Sequence, residues 1–200
     1  MSQQDSPQPR RVSVKFFANP QPGAALDLAP YIGLFHQFIQ EKSVEGLLID
    51  VADYTHVPDG PGILLVGHDV DYGIDLAGGR AGLLTVRKRI EGSSFAEALR
   101  DTLVKSTGAI AAIHGSDVDQ LQFATDALEI QCRDRLALPN TAGGFDAASA
   151  ALAPLLAEAF GDAKTDITND AADDARSPLT LRVVAQSPPD AVALLANLRS

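Results

Sequence analysis

Leu47-Leu48-Ile49-Asp50-Val51, Asp59-Gly60-Pro61-Gly62 and Ile63-Leu64-Leu65-Val66 decide the fold of this 200-residue chain. The first and third runs are aliphatic and branched, as strands are. The cluster between them is turn chemistry, because glycine supplies positive φ and proline fixes its own. Two strands so joined pair antiparallel as a hairpin. Gly46–Tyr54 and Ile63–Tyr72 are its expected arms. Both arms are apolar on both faces, and such strands are covered on both sides. Helices cover one face. Helices or a second copy of the chain cover the other, and a homodimer is a fair expectation.

Upstream of the hairpin, Val12–Ala18 reads as a strand stopped by Asn19-Pro20. Gln21–Gly23 reads as loop. Asp27 then caps a helix in which Leu28, Ile32, Phe35 and Ile39 recur at helical spacing. Downstream, Gly78-Gly79 marks a turn and Leu83–Ile90 a further strand, its Arg87, Lys88 and Arg89 suited to an edge or an end. Ser93 or Ser94 caps a long helix closed by His114-Gly115.

The remainder repeats the theme. Leu121–Leu136 is extended, with a bend expected at Asp126-Ala127. Asp146–Phe160 is helical despite Pro154, which costs a helix interior about 3 kcal/mol. Thr165–Thr168 and Leu179–Ala185 are strands, and Ser187-Pro188 introduces a last helix. The predicted class is α+β, with antiparallel sheet or sheets and helices packed on one face. The order is βαβββα followed by βαββα, a tandem duplication of a βαββ unit. It forms one domain over 12–200 with pseudo-repeats 12–115 and 121–200, after a flexible tail over 1–11.

The net charge of −10 repels phosphate backbones and anionic lipid, so nucleic acid and membrane are not expected partners. The N-terminus has no apolar stretch of signal-peptide type. The single cysteine, Cys132, has no disulfide partner within the chain and lies where strand alternation buries it. A reducing cytoplasm is the expected setting.

Chemistry concentrates in Asp50–Asp75, which holds two of the four histidines and two of the three tyrosines. With the turn centred on Pro58–Pro61, Asp50 faces His68 across the hairpin, a geometry in which a carboxylate orients an imidazole. His68 and Asp50 are therefore the candidate acid/base pair. His56, His68 and Asp69 are the candidate metal ligands by donor type. Tyr54, His56, His68, Asp71, Tyr72 and Arg80 are the candidate ligand-binding residues; Arg80 sits in Gly78-Gly79-Arg80-Ala81-Gly82, where glycines let an anion approach closely. Ser106, Ser116 and Ser149 lie in no nucleophile-elbow context.

In order of elements, the tandem βαββ arrangement resembles the gyrase-inhibitor-like effector-binding modules, in which two such units enclose a ligand cleft. That resemblance implies a ligand-binding module, not an enzyme. The leading expectation is accordingly a non-enzymatic homo-oligomer that binds a small ligand or a partner and needs no cofactor. The alternatives are an enzyme or metal-binding protein using the His68/Asp50 hairpin, and a structural or assembly protein.

Overall fold

The computed structural model describes residues 9–20, 26–57 and 59–200. The expected tail up to residue 8, the loop at Gln21–Gly23 and Pro58 of the hairpin turn lie outside them. The elements run β1 (Val12–Pro20), α1 (Ala29–Glu41), β2 (Leu48–Asp53), β3 (Pro61–Gly67), β4 (Val70–Asp75), β5 (Gly82–Arg87), α2 (Phe95–His114), β6 (Leu121–Cys132), α3 (Ala142–Phe160), β7 (Thr165–Thr168), β8 (Leu179–Ala185) and α4 (Ala191–Arg199). All eight strands form one antiparallel sheet in the order β2-β3-β4-β5-β1-β6-β8-β7, carrying four helices. The α+β class with helices on an antiparallel sheet is therefore correct.

One strand more is present than the sequence predicts. The expected strand Ile63–Tyr72 is two strands, β3 and β4, folded back at His68-Asp69. The cause is Gly67. A Cβ there would stand 2.2 Å from the Val70 carbonyl oxygen, so only glycine lets the chain reverse this tightly. The Asp71 carboxylate closes the turn by accepting from the Gly67 N–H at 3.0 Å. Of the two settings expected for Arg87, Lys88 and Arg89, the strand end is the one found: Arg87 closes β5, which lies inside the sheet between β4 and β1.

Helix boundaries follow capping chemistry. Ser94 and Glu97 form a capping box on α2. Thr141, five residues before the expected start, caps α3, its hydroxyl accepting from the Gly144 N–H at 3.2 Å. Asp190 caps α4 in place of Ser187. Pro154 stays inside α3, where buried Leu152, Leu155 and Leu156 hold the helix down. The bend expected at Asp126-Ala127 falls where the register between β1 and β6 shifts.

The sheet's alternation separates two faces. On the helix-covered face, Val51, Leu65, Tyr72, Thr85, Val14, Ile130 and Leu181 stand in one cross-strand row. Thr85 meets α2 directly, its hydroxyl donating to Ser106 Oγ at 3.0 Å. Arg87 reaches Asp101 of the same helix. Cys132 lies on this face and is fully buried, and burial pushes its thiol up to about 12. The other face carries no helix contact of this kind. Its central row reads Ala52, Leu64, Gly73, Leu84, Lys15, Glu129, Arg182, Thr168, crossing all eight strands from an apolar end to a charged one.

Candidate functional site

The charged end of that open-face row is a cavity of about 290 Å³. Its wall is built by β1, β4, β5, β6 and β8, with the Ala77–Arg80 segment closing one side. The segments that meet there lie far apart in the chain. They alternate in the same way: Ser13 and Lys15 between Val12, Val14 and Phe16; Glu129, Gln131 and Arg133 between Leu128, Ile130 and Cys132; Arg182 between Leu181 and Val183. Each apolar neighbour is buried on the covered face, so each polar residue is turned to the open one.

Lys15 is 6% exposed and makes a buried ion pair with Asp75, Nζ to Oδ2 at 2.5 Å. Its ammonium also donates to the Ala77 carbonyl at 3.1 Å. These contacts compensate the two charges for the water they lose. Beside them the Phe17 ring carries the Arg80 guanidinium 3.5 Å above its centroid, with Lys15 and Arg182 at 5.8 and 5.3 Å. Three cations around one ring is an arrangement that the quadrupole of the aromatic face favours. Stacking engages the flat side of Arg80 and leaves its N–H edge free to donate.

Four cations line the cavity, Lys15, Arg80, Arg133 and Arg182, against two carboxylates, Asp75 and Glu129. Lys15 is paired with Asp75, and Arg182 lies 3.6 Å from Asp170. The Arg80 and Arg133 side chains have no hydrogen-bond acceptor and no salt-bridge partner among the described residues. Glu129 stands in register between Lys15 and Arg182. Burial raises its pKa above the ordinary carboxylate range, although Lys15, Arg182 and Arg80 all pull it down.

Of the residues expected to form a site, only Arg80 lines this cavity. The expected pairing of Asp50 with His68 is not found. Asp50 stands opposite Val66, because a bulge between Leu48 and Asp50 shifts the register and His68 lies on the turn beyond β3. Asp50 accepts instead from the Val51 N–H at 2.8 Å. His68 is exposed, its Nδ1 2.9 Å from Asp69 Oδ1. His56 lies at the far end of β3, stacked on Tyr54 with ring centroids 6.2 Å apart. A seven-residue strand at about 3.3 Å per residue separates the two histidines by roughly 20 Å, too far to share a metal ion. Among the described residues no group of three His, Cys, Asp or Glu side chains is placed to hold one. Asp71 pairs with Lys88 at 2.8 Å, and Tyr72 is buried on the covered face, its hydroxyl donating to the Glu45 carbonyl at 2.7 Å. Neither is free to meet a ligand in the cavity.

The two remaining histidines do not extend the site. His36 is on α1, Nδ1 2.8 Å from the Ile32 carbonyl oxygen. His114 ends α2 beside Phe123, and burial lowers its pKa against the pull of Asp190. Among the described residues no helix is long and apolar enough to cross a membrane. Comparison of the chain with protein-family models, with curated proteins and with solved structures finds no match.

Proposed function

We propose that the chain is a non-enzymatic binding module that takes up a small acidic molecule on the open face of its sheet and works as a homodimer. The observation that carries the reading is the pair of unpartnered guanidinium groups, Arg80 and Arg133, on a cavity wall shared with Lys15 and Arg182. In a chain of net charge −10 this concentration of positive charge is local, and a walled pocket focuses its field on an incoming anion. Planar guanidinium groups suit carboxylate or phosphate oxygens. A volume of about 290 Å³ fits a compact acid better than a nucleotide or a peptide. The acidic remainder of the surface disfavours nucleic acid and anionic membrane.

Dimerisation is supported by apolar groups around the sheet's free edge. Leu47 and Ile49 are 69% and 57% exposed at β2, and Leu64 and Val66 beside them are only half-covered. The buried lone thiol suits a reducing cytoplasm. The reading calls for no cofactor.

Titration calorimetry with inorganic phosphate and with succinate tests it. Binding of either acid, weakened about tenfold by Arg80→Ala or Arg133→Ala, is the expected result. A wild-type protein indifferent to both of these acids, and to L-malate and L-aspartate as well, would sink the proposal. Light scattering reads the oligomeric state, and a monomer at all concentrations would remove the dimer.

A further inference from the structure

We infer that Glu129 is the acceptor that selects the ligand: the acid held by Arg80 and Arg133 carries an N–H or O–H donor beside its acidic group, as amino acids and hydroxy acids do. This rests on the acid-binding reading above and adds a second requirement to it. Glu129 is half-buried in the cavity wall, yet its carboxylate accepts no hydrogen bond among the described residues. The other carboxylate of the cavity wall is engaged, as are two more that pair with cations nearby. Asp75 holds Lys15, Asp71 holds Lys88 and the Gly67 N–H, and Asp170 faces Arg182 and the Thr168 hydroxyl.

A half-buried carboxylate has given up water and needs donors in its place. The cations nearest in register do not supply them. Lys15 directs its ammonium to Asp75 and to the Ala77 carbonyl, and Arg182 is turned between Asp170 and the Phe17 ring. The missing donor therefore has room to come from a bound molecule. Glu129 and the free guanidinium groups share one cavity of about 290 Å³, so donor and acid belong to one small molecule. An ionised carboxylate is acceptor-only, so Glu129, whose oxygens open onto the cavity, favours a ligand that brings it a donor over one that does not.

Three dicarboxylates of one carbon skeleton test the inference: succinate with no donor, L-malate with a hydroxyl and L-aspartate with an ammonium. The expected result is that L-malate or L-aspartate binds the wild-type protein at least about tenfold more tightly than succinate. The same experiment shows which donor is preferred. In Glu129→Met, which keeps the length and removes the acceptor, the gap closes while succinate still binds. Equal binding of all three acids to the wild type, or a gap that survives in Glu129→Met, overturns the role of Glu129 and leaves the acid-binding reading standing. No binding of any of them overturns both.

Discussion

The two faces of the sheet are made by the same strands and differ in almost everything else. In β1, Val12, Val14 and Phe16 are sealed under the helices, while Ser13, Lys15 and Phe17, one residue out of phase, meet the cavity. The covered row is continuous and apolar except for Tyr72 and Thr85, each with a hydrogen-bond partner. The open row changes along its length, from Leu64 and Leu84 to Lys15, Glu129 and Arg182. The first carries the apolar packing, and the second carries the charged groups of the proposed binding site. Alternation keeps them independent, because a substitution on one face leaves the other's side chains in place.

Breaking that independence is the way to test it. Phe16→Ala should cost about 4 kcal/mol in chemical denaturation, since it empties a fully packed position under the helices. Lys15→Met should cost about 3 kcal/mol although it lies on the open face, because it leaves the Asp75 carboxylate buried without a partner. Lys15→Met with Asp75→Leu should recover most of that loss. A Lys15→Met protein as stable as the wild type would show that the open face carries no buried charge.

Glu129→Gln has the opposite sign. The fold raises the Glu129 pKa, so the charged carboxylate is a cost. That cost is absent below the ordinary carboxylate value of about 4.3 and grows as pH rises through the raised folded value. The variant should therefore melt about 2 °C above the wild type at pH 7, with the gap vanishing near pH 4. A gap independent of pH would show that burial of the charge is not its cause. Arg80→Ala should cost no more than about 0.5 kcal/mol, the smallest change of the set, because the exposed guanidinium rests on Phe17 and has no hydrogen-bond or salt-bridge partner among the described residues. Its effect should appear in acid binding instead, and a large loss of stability without loss of binding would reverse the assignment of the two faces.

How much of this was legible in the sequence follows from the range of the signals. The α+β class, the helix cap at Ser93 or Ser94 and the burial of Cys132 rest on local pattern, and all are present, the cap being Ser94. The reversal at His68-Asp69 was missed because its signal is one glycine between two apolar runs, and a continuous strand explains those runs equally well. That miss carried the Asp50–His68 pairing with it, since one bulge and one turn move every cross-strand partner. The cavity was hidden for a different reason. The alternation at Ser13-Lys15, Glu129-Gln131 and Arg182 is visible in the sequence, but which strands lie side by side is not. β1 is flanked by β5 and β6, and β6 by β8, pairings set by long-range packing. Arg80 was found because its glycine setting is local.

The covered face also gives the molecule a clock. Cys132 is the chain's only thiol, it closes β6 where it pairs with Val12 and Leu179 at the ends of three inner strands, and its pushed-up pKa keeps it from ionising. An alkylating agent reacts with thiolate, so the folded chain should resist it almost completely. Reaction has to wait until β1 parts from β6. The rate at which iodoacetamide marks this one atom then counts how often this end of the sheet opens, and an acid bound at the proposed site of Arg80, Arg133 and Glu129 on the reverse side should slow the count.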